Sequence, residues 1–242
     1  MARAGYDVYR DCLNTPAFLA MLPDVEGRLG LDLGCGEGHN TRLLTQQGAT
    51  MIGIDIASRF LQYARQAELE KPLGIDYIQG SGPHLPFAAN TFDFITAFMS
   101  LMDIPQPSRV LKECHRVLKP GGFLQFSISH PCSDTPIQRK IKDAQGVVKA
   151  FVVGEYFQRT EGQIEEWTFS SAPPELRAQW PAFQIPRFTQ PLSAWLNQLI
   201  DAGFIIKRIG EPFPDKKTIA QCPHIADASI WPYFLHIRCS KA

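Results

Sequence analysis

The chain has 242 residues, is 45% apolar, and carries 24 basic against 24 acidic residues, for a formal net charge of zero. That length suits one large α/β domain with an insertion, and the missing basic excess argues against nucleic acid as a partner. Six scattered cysteines without C-x-x-C or Cys/His spacing speak against a disulfide framework or a zinc site and for a reducing cytoplasm, while no signal core or run of about 18 apolar residues predicts a membrane span.

Residues 6–22 place Tyr6, Tyr9, Leu13, Phe18, Leu19 and Leu22 at helical spacings. Asn14 or Thr15 is positioned to cap a second short helix with Pro16 at its first position. Strand Leu29–Leu33 follows, then a helix over His39–Gln47 ending at Gly48, a strand Thr50–Asp55, and a helix from Ser58 stopped by Pro72. Strands at Ile75–Gln79 and Phe92–Phe98 flank the turn Gly80-Ser81-Gly82-Pro83-His84. A helix over Pro107–Leu118 turns through Pro120-Gly121-Gly122 into a strand Phe123–Ser129.

Residues 133–186 break this rhythm. The basic run Arg139–Lys142 reads as a solvated face. Alternating apolar residues in Val147–Phe157 and around Trp167 predict a β excursion, and the prolines near 173 predict a loop. Tyr156, Trp167, Phe169 and Trp180 offer aromatic walls for a small organic ligand or a local core. The helix opened by Leu192 ends at Gly203 and leads to a strand Phe204–Ile209. A proline-bearing loop Glu211–Ala228 then precedes a last strand Ile230–Cys239.

The informative stretch is Leu31-Asp32-Leu33-Gly34-Cys35-Gly36-Glu37-Gly38. A buried strand running into three alternating glycines and a helix start exposes backbone N–H groups, which favour a carboxylate or phosphate. The spacing departs from the dinucleotide pattern G-x-G-x-x-G, because its third glycine position holds His39 and the last glycine comes one residue early at Gly38. Asp55 ends the second strand about 20 residues past the first glycine, where an acid accepts hydrogen bonds from a ribose. Phe98 and Met99, at the C-terminal end of the fourth strand, border the same ligand region.

These residues resemble the class I S-adenosylmethionine (SAM) dependent methyltransferases, of the small-molecule type similar to ubiquinone and menaquinone biosynthesis enzymes. Leu85-Pro86-Phe87 with Phe92-Asp93-Phe94 is similar to the family's LPF…FD stretch, and Leu118-Lys119-Pro120-Gly121-Gly122 to its LKPGG turn. The resemblance implies a Rossmann-like, doubly wound seven-stranded sheet with helices on both faces, mostly parallel with an antiparallel last strand. It implies one methyltransferase domain over 1–242, with an N-terminal helical cap (1–28) and an insertion (133–186) as lid and acceptor pocket. It implies SAM as cofactor, held by Asp32, Gly34, Cys35, Gly36, Gly38, Asp55, Ile56, Ser81, Gly82, Phe98, Met99 and Tyr9. Most members carry an acid where this chain has Ser81, which accepts a hydrogen bond but bears no charge. There is no Asn/Asp-Pro-Pro-aromatic tetrad after the fourth strand, so amino-methylation of DNA or protein glutamine is disfavoured.

His130 closes the fifth strand and is the candidate general base; a backbone-bonded or pocket-lining histidine is the alternative. No metal ligand set is present. The expected partner is a small-molecule methyl acceptor, with no nucleic acid and no set oligomeric state. A SAM-binding regulatory protein without turnover and a nicotinamide-dependent oxidoreductase are the competing readings.

Overall fold

The structure is a computed structural model, and it describes residues 5–168, 171–179 and 182–242. In chain order the elements are α1 (Thr15–Met21), β1 (Leu29–Leu33), α2 (His39–Gln46), β2 (Thr50–Asp55), α3 (Ser58–Glu70), β3 (Asp76–Gln79), β4 (Phe92–Phe98), α4 (Pro107–Val117) and β5 (Leu118–Ser129). They continue with β6 (Ile137–Lys142), β7 (Val148–Gly154), β8 (Glu161–Trp167), α5 (Pro174–Gln179), β9 (Phe183–Phe188), α6 (Leu192–Asp201), β10 (Phe204–Gly210), α7 (Lys216–Gln221) and β11 (Phe234–Lys241). The chain divides into two compact units, one of residues 22–128, 193–210 and 236–242, the other of 1–21, 129–192 and 211–235.

The first, the sheet unit, is built on seven strands in the order β10-β11-β5-β4-β1-β2-β3. β1 lies parallel to β2 and β4, β4 parallel to β5, and β2 parallel to β3, while β10 and β11 pair antiparallel. Strands buried on both faces read as continuous apolar runs, and β4 buries Phe92, Phe94, Ile95 and Ala97 completely. The amphipathic α4 buries Val110, Leu111, Cys114 and Val117 at helical spacing. The chain proceeds from β1 outward to β3, then returns to the other side of β1 as β4. That reversal opens a crevice beyond the C-terminal ends of β1 and β4, the place where open α/β sheets bind ligands.

The second, the hairpin unit, holds two antiparallel pairs, β6–β7 and β8–β9. One core cluster in it buries Leu13, Cys222, Ile225 and Ala228, with Val8, Tyr9, Cys12, Tyr233 and Phe234 packed against them. No helix among the described residues is long and apolar enough to cross a membrane.

The expected and observed elements differ in several places, among them Pro174–Gln179, a helix where the prolines predict a loop. The helical segment before β1 is not restarted at Asn14 or Thr15: a π turn over Arg10–Asn14 runs directly into α1, with Thr15 N–H reaching back to the Arg10 carbonyl. Pro16 lacks an N–H and its ring crowds the carbonyl four residues back, so widening the turn accommodates it without a cap. β5 starts at Leu118 opposite Phe92, with Phe123 opposite Phe94, so Lys119–Gly122 is an excursion inside the strand rather than a turn before it. The loop after β10 contains α7, capped by Asp215, whose carboxylate accepts the Thr218 N–H at 2.7 Å. The last strand begins at Phe234 instead of Ile230, because a 3-10 segment Pro223–Ser229 and then Pro232, which has no donor, precede it.

Candidate functional site

The glycine loop links β1 to α2 across the reversal point. Gly34, Gly36 and Gly38 have φ of 71°, 55° and 80°, the left-handed region that side chains resist. Their reasons differ. A Cβ on Gly34 would fall 2.4 Å from the Ser100 side chain, whose hydroxyl donates to the Leu33 carbonyl at 2.7 Å. One on Gly38 would fall 2.3 Å from the Tyr77 hydroxyl. At Gly36 nothing lies within 4 Å, so that face of the loop is open. Cys35 is buried under the loop, and burial pushes its thiol up.

Asp32 and Asp55 hold the loop in different ways. Asp32 is 2% exposed and accepts from the Thr41 hydroxyl at 2.6 Å and the Thr96 hydroxyl at 3.1 Å. It thereby ties β1 to α2 and β4. Burial raises its carboxyl to about 6, against the pull of the two hydroxyls. Asp55 is half-buried. Its two oxygens accept the Gly36 and Ala57 N–H groups, each at 2.8 Å. A carboxylate offers about four lone pairs, so capacity remains for a ligand. Ile56 beside it is 71% exposed.

At the end of β4, Met99 takes φ 52°, uncommon for a side-chain-bearing residue. Its N–H donates to the Ser127 carbonyl at 2.8 Å, and the Ser127 hydroxyl lies 3.5 Å from its sulfur. Phe98 is half-buried. Ser81 forms an isolated bridge with His84, and Gly82 is buried against Val110, where a Cβ would meet Val110 at 3.2 Å.

Tyr9 and His130 belong to the hairpin unit. Tyr9 donates to the Asp227 carboxylate at 2.6 Å. Asp227 also receives the Tyr233 hydroxyl at 2.8 Å and the Lys140 ammonium at 2.6 Å. Burial would raise this carboxyl, but the hydrogen bonds from Lys140, Tyr9 and Tyr233 outweigh it and hold it below the usual range. The basic run is therefore not wholly solvated, since Lys140 turns to Asp227. His130 is 3% exposed. Its Nδ1 accepts the Cys132 N–H at 3.1 Å, so Nε2 carries the proton and donates to Glu211 at 2.9 Å. Desolvation lowers its pKa despite Glu211. Both ring nitrogens are engaged. A cavity of about 540 Å³ in the same unit is lined by Cys132, Thr135 and the 153–158 segment. Tyr156 lines it; Trp167 lies on β8; Phe169 and Trp180 lie outside the described residues.

Residues 31–126 match the family model for a methyltransferase domain. A solved S-adenosylmethionine dependent methyltransferase from Mesorhizobium loti is 27% identical with a TM-score of 0.76, covering 93% of this chain and 96% of that one. Residues 31–126 therefore carry a methyltransferase domain. A ubiquinone biosynthesis O-methyltransferase of Pseudomonas paraeruginosa is 36% identical over 102 residues, 42% of this chain and 44% of that protein. The chain thus spans under half the length of the curated relatives it matches. A structure of a putative S-adenosylmethionine dependent methyltransferase from Listeria monocytogenes, 22% identical with a TM-score of 0.74, covers 94% of this chain and 97% of that one and shares the fold.

Around the glycine loop the geometry offers an open face at Gly36, a carboxylate at Asp55 with spare acceptor capacity, and an exposed apolar Ile56 next to it. Several supporting residues carried no signal in the sequence. Ser100 and Tyr77 shape the glycine turns from 66 and 39 positions downstream of Gly34 and Gly38, and Thr96 reaches Asp32 across 64 positions. Thr41, in the first turn of α2, was the one partner near enough to Asp32 to be sought there.

Proposed function

We propose that the chain binds SAM at the crevice beyond β1 and β4 and transfers its methyl group to a small-molecule acceptor by in-line displacement. The observation that carries this reading is the three-glycine turn, open at Gly36 and held by the Asp55 carboxylate. In this reading the loop N–H groups take the carboxylate end of the ligand and Asp55 takes the ribose hydroxyls. Asp32 and Cys35 shape the turn from below. Ile56, Ser81 and Gly82 border the adenine, and Phe98 and Met99 line the end of β4. SAM supplies an already activated sulfonium methyl, so the protein's task is to orient the acceptor and exclude water. Where the acceptor must lose a proton, the proposed proton-accepting group is the Glu211 carboxylate, held by the Nε2–H of His130.

Calorimetric titration with S-adenosylhomocysteine, with NADH in parallel, tests the cofactor. Micromolar binding of the first and none of the second is expected. Binding of NADH alone would replace the reading with an oxidoreductase one. Binding without turnover is favoured by Ser81 standing where the family carries an acid. Formation of S-adenosylhomocysteine from SAM over a panel of phenols, amines and thiols separates it from transfer.

A further inference from the structure

Tyr77, in the sheet unit, buries a hydroxyl that has nothing to bond. It lies on β3 opposite Gly53 of β2. A Cβ on Gly53 would fall 2.7 Å from the Tyr77 ring and 2.9 Å from the Cys35 sulfur, so the ring crosses β2 only because that position is glycine. The side chain reaches on to Gly38, whose missing Cβ would stand 2.3 Å from the phenolic oxygen. Two glycines thus make the slot, and the hydroxyl ends against the residue that opens α2. Gly38 has no side chain to cap with, and α2 starts without a side-chain hydrogen bond. Tyr77 is 7% exposed, and its hydroxyl finds no hydrogen-bond partner among the described residues. Burial pushes the phenol up, so it stays protonated and remains a donor at neutral pH.

A buried donor without an acceptor is destabilising, and phenylalanine would fill the same slot without that cost. Such groups are uncommon in native proteins and point to a task outside the ligand-free state. The glycine loop can supply one. Asp55 holds the Gly36 N–H at 2.8 Å. Ribose hydroxyls at Asp55 would compete for that carboxylate and loosen the tie, and a turn carrying Gly34, Gly36 and Gly38 can re-set without steric cost. At the far end of the turn stand carbonyls with a second lone pair to offer. Cys35 accepts the Gly38 N–H at 2.9 Å, and Gly38 accepts the Arg42 N–H at 3.0 Å. We propose that Tyr77 is a positioning residue of the ligand loop: its hydroxyl lacks an acceptor in the free loop and gains one, a loop carbonyl, when the ligand's carboxylate end settles on the loop N–H groups. Binding of that end is thereby linked to a hydroxyl that the ligand itself does not touch. The assignment rests on the SAM reading above.

Tyr77→Phe keeps the ring in its slot and removes the hydroxyl alone. Two ligands are titrated into wild type and variant by calorimetry: S-adenosylhomocysteine, and 5′-methylthioadenosine, which keeps the adenosine and lacks the amino-acid carboxylate. Urea unfolding is followed on the same samples without ligand. The variant is expected to be at least as stable as wild type, to bind S-adenosylhomocysteine about ten-fold more weakly, and to bind 5′-methylthioadenosine within about two-fold of wild type. A ring that only fills space cannot raise stability and lower affinity together. Unchanged affinity for both ligands would overturn the inference and leave the SAM reading standing. Equal weakening of both would overturn it too, since the loss would not come from the carboxylate end. So would a variant less stable than wild type, because the hydroxyl would then be bonded in the free loop. Wild type that does not bind S-adenosylhomocysteine would overturn the SAM reading and this inference with it.

Discussion

Replacing Asp227 by asparagine tests what holds the hairpin unit together. The carboxylate is 9% exposed and receives hydroxyls from Tyr9 and Tyr233 and the ammonium of Lys140. Hydrogen bonds to a charged acceptor are worth about 1.5–3 kcal/mol and neutral ones about 1 kcal/mol. Asparagine keeps one acceptor oxygen, so one tyrosine bond weakens and the other is lost or reversed, a cost of about 2–3 kcal/mol. The Lys140 side chain is 43% exposed and its ion pair adds under about 1 kcal/mol. The sum, about 2–4 kcal/mol, corresponds to opening of the segment roughly 30-fold to 1,000-fold more often. Hydrogen exchange followed by mass spectrometry at pH 7 reads this directly in residues 5–21 and 223–235. The pH dependence has a definite sign: the folded carboxyl lies below its unfolded value, so its contribution is present above about pH 4 and is lost as the pH falls through the folded pKa. The asparagine variant should lack that acid-side loss. Exchange in residues 5–21 that is the same in variant and wild type would refute the reasoning, since Tyr9 is the residue through which that segment meets Asp227.

Asp55→Ala should weaken S-adenosylhomocysteine binding by about 1–3 kcal/mol by calorimetry, the scale of a lost charge-assisted hydrogen bond; an unchanged affinity would remove the ribose assignment. Asp32 titrates near 6 when folded and near 3.8 when unfolded, so its contribution to stability is full below about pH 4 and is lost as the pH rises through 6. Urea unfolding of Asp32→Asn should therefore gain on wild type by up to about 3 kcal/mol between pH 4 and pH 7, and a constant difference would show that the carboxyl is not buried as described. His130→Ala should abolish turnover while leaving S-adenosylhomocysteine affinity within about two-fold, because the two ring nitrogens bond to Glu211 and Cys132 and not to a residue assigned to the cofactor. Full activity in that variant would exclude the His130–Glu211 pair as a proton acceptor.

The sheet was legible because its signals are local. Apolar runs bounded by glycine or acid marked β1, β2 and β4 to the residue, since a doubly buried strand must be continuously apolar and must end where the chain turns. Helix α7 was missed because Pro212 and Pro214 read as loop, although Asp215 beyond them supplies its cap. The partners of the candidate site were hidden for another reason. Glu211 meets His130 across 81 positions and Asp227 meets Tyr9 across 218, and no spacing rule spans such distances. His130 was singled out for its place after β5, yet what decides its chemistry is the Cys132 N–H on one nitrogen and Glu211 on the other. Met99 in the left-handed region gave no sign at all, because nothing about methionine favours that conformation.

The hairpin unit is assembled from three separated stretches of chain, 1–21, 129–192 and 211–235. Closing loops of that length delays contact formation, and long-range pairings form after local ones. Strands β1 to β4 and the helices between them are complete by residue 98 and pair largely with their neighbours in sequence. Asp227, by contrast, leaves the ribosome 218 residues after Tyr9, so Tyr9 waits for its partner while all of that stretch is made. The nascent chain therefore possesses its glycine loop long before it possesses the unit with the cavity, and a chain cut short before residue 211 would keep the first and lack the second.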